Sequence, residues 1–303
     1  MKNKQTIGSL LLLFTAMIWG AAFAAQRAGR GAIEPFSFVA ARMALSAAAV
    51  GIPVFILGRR RGKASPPSPD ERAQRRATLC GGLCCGLFLG AASLFQQAGI
   101  LTASAGKAGF ITAMYMLLVP LLELLLFRRR HGARVWCAVA LGVAGLYLLC
   151  VKEGFSFARG DLLVCVCALL FAGHILCCGH FAGRGDPLAL SAIQFAAAAL
   201  LALLAALVFE RPSWDKIVSA GIPILYCGLV SGGIGYTLQM VAQRFTDPTV
   251  ASLLMSLESV FAVLAGALLL SERMSVREGV GCAVMFAAIL LVQLPAKRKT
   301  QTE

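Results

Sequence analysis

The sequence predicts an all-α integral membrane protein: ten transmembrane helices forming two inverted five-helix repeats, with both termini cytoplasmic. Three observations carry this reading. Apolar runs long enough to cross a bilayer recur along almost the whole chain, Lys and Arg gather in alternate loops, and the second half repeats features of the first. Of the 303 residues, 59% are hydrophobic and 14% charged, and the mean hydropathy is +0.80; an ordinary soluble domain is about 25% charged. A run of about 18 apolar residues spans the roughly 30 Å of hydrocarbon as a helix. Lipid offers a free peptide group no partner, so the backbone there must be helical.

Taken between clusters of charge, Pro and Gly, the spans fall at 8–27, 36–57, 77–97, 106–127 and 133–151 in the first half, residues 1–151. In the second half, residues 152–303, they fall at 161–180, 187–209, 217–240, 248–270 and 276–294. The first run follows Lys2 and Lys4 and ends near Ala22-Phe23-Ala24, a signal-peptide pattern. It is long for such a segment and more spans follow, so an uncleaved helix is expected. Residues 59–76, RRRGKASPPSPDERAQRR, mix charge with Pro and Ser and are expected to form a mobile loop.

The N-terminal tail, alternate loops and C-terminal tail together carry twice the Lys and Arg of the other side, which predicts that both termini face the cytoplasm and that the inner (plasma) membrane is the location. The net charge of +14 sits in short loops, where it suits anionic lipid; no soluble basic domain is present to hold nucleic acid. Most of the 11 cysteines lie mid-helix, among them Cys165, Cys167, Cys177, Cys178 and Cys282, and read as small packing residues. His174 and Cys178 have the spacing of a shared metal ligand pair, but no second ligand cluster accompanies them, so neither metal nor cofactor is expected. There is no nucleophile elbow and no phosphate-cradling glycine loop, which argues against an enzyme.

The repeat appears when the chain slides by about 142 positions: Gly86 falls on Gly228, Gly90 on Gly232 and Gln97 on Gln239. Around the second and seventh spans, Pro35 pairs with Pro187 and Arg42 with Gln194. Five spans per copy is odd, so the copies enter the membrane in opposite senses, an arrangement suited to closing a midplane site on either face. Gly82, Gly86 and Gly90, like Gly228 and Gly232, form smooth stripes where another helix can approach closely.

Arg42 is the most costly residue in the second span and should face water or a partner; it is a candidate anchor for an anionic group, with a structural ion pair or snorkelling to the interface as the alternatives. Glu123 and Glu258 are candidates to pair with it, to bind a cation or to carry a proton. His174 and His180 are further titratable candidates, and Lys107 can serve the pathway or snorkel to the interface. Trp19, Phe23, Tyr115 and Tyr236 supply aromatic walls with polar tips. Gln26, Gln97, Gln194 and Gln239 gain most by facing a polar pathway.

MIWGAAFAAQRA in the first span, EPFSFVAARMALSA in the second, LTASAGKAGFITAMYMLLVPLL into the fourth and LLMSLESVFAVLAGALLLSERMS in the ninth resemble the EamA-like branch of the drug/metabolite transporter superfamily. The likeness covers essentially the whole chain and implies roles for Trp19, Gly20, Arg42, Lys107, Pro120, Glu258 and Glu272. Ser259 replaces the proline usual after the glutamate, and RRRH replaces a Glu-Arg pair after the fourth span. The expectation is a carrier that exports or exchanges a small metabolite, an amino acid or related compound, as a monomer or homodimer in the lipid bilayer. The alternatives are a phosphorylated-sugar, nucleotide or drug carrier, a lipid-modifying membrane enzyme, and a non-transporting scaffold.

Overall fold

The computed structural model describes residues 2–28, 31–60, 68–102, 105–151, 159–269 and 274–293, which include ten helical segments long and apolar enough to cross a membrane. The first three are α1 (Lys2–Ala28), α2 (Pro35–Arg60) and α3 (Pro69–Ile100). The fourth is broken at Met114 into α4 (Ala105–Ala113) and α5 (Tyr115–Phe127), and the fifth is α6 (Ala133–Cys150). The sixth and seventh are α7 (Arg159–Phe181) and α8 (Pro187–Phe209). After a short α9 (Trp214–Ser219), the eighth comprises α10 (Gly221–Leu225), a π-helical stretch (Tyr226–Tyr236) and α11 (Thr237–Ala242). The ninth is broken at Ser256 and Leu257 into α12 (Pro248–Met255) and α13 (Glu258–Leu269), and the tenth is α14 (Val276–Gln293).

Three differences from the spans that the sequence predicts have a visible physical reason. The third helix begins at Pro69, so half of the expected loop is helical. Ser68 Oγ accepts from Glu71 N (3.2 Å) and Glu71 Oε2 accepts from Ser68 N (3.0 Å). This capping box, with proline at the first helical position, starts a helix in polar sequence. The eighth span begins at Gly221 because the chain first turns at Ala220, and Pro223 then falls in an opening turn, where its missing N–H leaves no bond unmade. The ninth helix breaks although Ser259 replaces proline. Ser252 Oγ donates to Thr249 O and Ser256 Oγ to Leu253 O, each at 2.8 Å, a back-bonding that bends helices.

Contacts between the halves follow an exchange rule. The second span packs on the seventh and the fifth on the tenth, pairs that map onto themselves when each span is exchanged with its counterpart. The third packs on the sixth and seventh, and the exchanged contacts, eighth on first and second, are also present. The rule extends to single residues. A Cβ on Gly86 would lie 2.6 Å from Gln194 O, and one on Gly228 would lie 3.0 Å from Arg42 O. Gly90 faces Ala198 as Gly232 faces Ser46. The two glycine stripes are thus helix contacts that seat the second and seventh spans.

Gln293 Nε2 donates to Ser9 Oγ (3.0 Å), so the first and last helices meet at one end of the bundle, called here the terminal end. At the far end Glu210 caps α2, accepting from Phe36 N and Ser37 N at 2.8 Å each. Beside it the Lys216 ammonium hydrogen-bonds Glu34 and holds that carboxyl below its ordinary value.

The fifth and tenth helices touch through backbone: a Cβ on Gly281 would lie 2.8 Å from Gly145 O and 2.9 Å from Leu149 N, whereas Gly279 has open space. Gly281→Val is expected to destabilise the folded protein by about 1–3 kcal/mol. Gly279→Val, the control, should cost much less when both are compared by thermal unfolding in detergent.

Candidate functional site

A cavity lies between the two halves, enclosing ≈ 500 Å³ of non-atom space including its mouth. All three interrupted spans contribute to its wall: Thr112 and Tyr115 flank the break in the fourth, Ser231 and Tyr236 belong to the π stretch of the eighth, and Met255 and Glu258 flank the break in the ninth. The π stretch, YCGLVSGGIGY, is held by side chains from outside it. Ser46 Oγ donates to Gly228 O (2.7 Å), Trp19 Nε1 to Ser231 O (3.1 Å) and Thr15 Oγ1 to Gly235 O (3.4 Å). Gly235 is small enough to admit the indole, since a Cβ there would lie 2.7 Å from Trp19 Nε1. The indole in turn packs on Tyr236, with ring centroids 4.6 Å apart.

The polar lining has a basic and an acidic pole. Arg42 is 4% exposed, its Nε has no hydrogen-bond partner, and its guanidinium lies 5.9 Å from the Phe38 ring centre. Glu258 is 5% exposed and accepts from the Tyr115 hydroxyl at 3.1 Å. Among the described residues no ion pair joins Arg42 to any acid, Glu258 included. Gln26 and Gln239 each bring a buried side-chain oxygen without a partner to the same wall. Toward the terminal end runs a relay in which Gln239 Nε2 donates to Gln243 Oε1 and Gln243 Nε2 to Ile175 O, both 3.0 Å.

The profile of the EamA-like transporter family matches residues 6–151 and, a second time, residues 158–294. The chain belongs to the EamA-like transporter family. It is 26% identical over 291 residues to an uncharacterised transporter of Archaeoglobus fulgidus, covering 96% of this chain and 87% of that one. It is 27% identical to the uncharacterised transporter YwfM of Bacillus subtilis, covering 98% and 97%. An uncharacterised protein of Pseudomonas aeruginosa is 30% identical over 266 residues, covering 87% and 86%. A solved crystal structure shares the fold with a TM-score of 0.75 at 21% identity, over 95% of this chain and 99% of the other. The protein is therefore a multi-pass membrane transporter of the drug/metabolite type.

In this EamA-like protein eight of the residues proposed from sequence line one cavity: Trp19, Gln26, Arg42, Tyr115, His174, Tyr236, Gln239 and Glu258. Gln194 sits behind the wall, with Oε1 3.1 Å from the His174 ring nitrogen Nε2. Gln97 is buried outside the cavity lining and its neighbour Gln96 lines it instead, with Nε2 3.4 Å from Thr112 Oγ1. One residue is about a 100° rotation on a helix, finer than a reading of apolar runs resolves. The side chains of Phe23 and Lys107, and Glu272 entirely, lie outside the described residues. Phe171 and Met255 also line the cavity and gave no signal, because an apolar residue looks the same in sequence whether it faces a cavity or a core.

Two titratable candidates lie elsewhere. His180 is exposed beside Arg184, near the terminal end. Glu123 pairs not with Arg42 but with Arg129 (2.8 Å) and His131 (3.0 Å), and it accepts from Thr249 Oγ1 (2.7 Å). Arg129 also pairs with Asp247, so the network ties the end of the fourth span to the start of the ninth. Arg128 makes this possible by adopting φ 53°, which folds Arg129 back over the helix end. That left-handed turn lay beyond any sequence signal.

Trp19→Phe keeps the ring stack but removes the donor to Ser231 O, and should cost about 1 kcal/mol in thermal unfolding. Glu123→Ala should cost more than Arg129→Ala in the same assay, since the first removes all three bonds to the carboxylate and the second leaves those from His131 and Thr249 in place.

Proposed function

We propose that this transporter exports or exchanges a small metabolite, an amino acid or related compound, by alternating access through the cavity between its halves. The observation that carries the reading is Arg42: a buried guanidinium without an acid partner, facing a cavity. Burying such a charge costs several kcal/mol unless something compensates it. A solute with an anionic group supplies that compensation while it is bound, and the protein then gives it up on the other side.

The exchange rule in the helix contacts supports the two-repeat, alternating part of the reading. In the described conformation the Gln239–Gln243 relay and the Glu123 network lie toward the terminal end, while Gln26 and Gln96 extend the lining toward the far end.

A carrier of phosphorylated sugars or nucleotides would need several cavity cations for the phosphates, and Arg42 is the single Arg or Lys in the described lining. A lipid-modifying enzyme would bring His and acid side chains to one depth. Here His174 and Glu258 share the cavity, while Glu123 and His180 stand apart from it.

Proteoliposome counterflow tests the assignment, with substrates chosen by a thermal-shift screen of amino acids, related metabolites and cationic drugs. Arg42→Ala is expected to reduce counterflow at least about tenfold, the worth of one charge-assisted contact, and Glu258→Gln to lower it as well. Undiminished counterflow of every substrate in both variants would remove the site from the reading.

A further inference from the structure

Two of the cysteines do more than fill space. Cys85 on α3 and Cys178 on α7 are buried in a small apolar cluster of their own, with Ala182, Leu190 and Met240, and their sulfurs touch at 3.8 Å. Four residues before Cys85, a Cβ on Gly81 would lie 2.7 Å from Phe181 Cβ, so the two helices run close enough there for short side chains to meet. The contact joins the two halves, because α3 belongs to the first and α7 to the second. Its counterpart under the exchange rule lacks the second thiol. Sliding by 142 positions lays Cys85 on Cys227, whose cluster brings in Ala25 and, among the described residues, no other cysteine.

A base and a route to the cavity accompany the pair. His174 lines the cavity, and the Cys178 sulfur lies 3.4 Å from its Nε2 and 3.9 Å from its Nδ1. Gln194 Oε1, 3.1 Å from Nε2, places the ring proton on that nitrogen and leaves Nδ1 as the acceptor facing the thiol. The thiolate is the reactive form of cysteine, so a base at the sulfur is what a buried thiol needs in order to react.

We propose that Cys85 and Cys178 are an oxidation site, which hydrogen peroxide entering the cavity converts to a disulfide joining the two halves. Cys178 gives its proton to His174 Nδ1, and the thiolate attacks one peroxide oxygen. The O–O bond breaks, the departing hydroxide takes the proton from the ring and leaves as water, and Cys178 becomes a sulfenic acid. Cys85 Sγ then attacks Cys178 Sγ. The S–O bond breaks, and the hydroxyl leaves as a second water with the Cys85 proton. Two thiols are oxidised and one peroxide is reduced to two waters. Peroxide is little larger than water, so a wall residue between cavity and sulfur is a passable barrier for it where a bulky oxidant would stop. The inference uses the cavity as a route and does not depend on which solute the protein carries.

The test treats the full-length protein in detergent with hydrogen peroxide and maps its peptides without reduction. The expected product is a link between the peptides bearing Cys85 and Cys178, two hydrogens lighter than their sum and released by dithiothreitol. In Cys85→Ser the link is absent, and Cys178 is expected to be recovered as its dimedone adduct when the oxidised protein is unfolded in that reagent. In His174→Gln the link should form at least about tenfold more slowly; an unchanged rate overturns the role given to His174. The thermal unfolding midpoint of the parent should rise on oxidation and fall back on reduction, with no rise in Cys85→Ser. A parent that keeps Cys85 and Cys178 as thiols while the exposed Cys80, Cys84 and Cys137 are oxidised, or that links other cysteines instead, overturns the site. These parent measurements decide even where a variant fails to fold.

Discussion

A peptide group in lipid has nowhere to turn for a hydrogen bond except its own helix, and the rest of this structure depends on that constraint. Non-α backbone within a span is tolerated where it faces protein or a cavity. The breaks at Met114 and at Ser256–Leu257, and the π stretch 226–236, all border the same cavity. In the π stretch the outside donors are visible: Ser46, Trp19 and Thr15 each reach one of its carbonyls. The irregular backbone and the cavity are therefore one feature. Disrupted helices bring Tyr115 and Glu258, which follow the breaks, to face each other across the halves.

The two kinds of charge in this protein are handled by opposite means. At the terminal end Glu123 is surrounded by Arg129, His131 and Thr249, a fully partnered arrangement that uses a left-handed backbone at Arg128 to bring the arginine back. In the cavity Arg42 has the Phe38 ring and space. One buried group is thus fully partnered, while the other has no acid partner among the described residues. It is this contrast, more than the presence of an intramembrane arginine, that gives the site its reading.

Much of the fold was legible because the signals that specify it are coarse. Ten apolar runs, prolines opening the second and seventh spans, and glycines at matched spacing survive any uncertainty of a few residues. Arg42 and Glu258 were legible for the same reason: their cost in lipid is high whatever direction they face. What depends on rotation about a helix or on partners distant in sequence was not. Gln96 rather than Gln97 lines the cavity, Glu123 finds Arg129 instead of Arg42, and the start of α3 lay in a segment whose composition masked the Ser68–Glu71 cap. The π stretch left only an excess of glycine, which signals close packing as readily as an altered helix.

The glycine contacts that obey the exchange rule are equal in place and unequal in chemistry. Gly90 meets the backbone of Ala198, while its counterpart Gly232 meets Ser46, whose hydroxyl reaches both Arg42 O (2.9 Å) and Gly228 O (2.7 Å). One half is therefore fastened to its neighbour by a hydrogen bond that the other lacks. When two copies trade conformations, such an inequality does not cancel. Under the alternating access proposed for this protein, swapping their roles would carry a free-energy difference of its own, set in part by a serine standing where symmetry would have put an alanine.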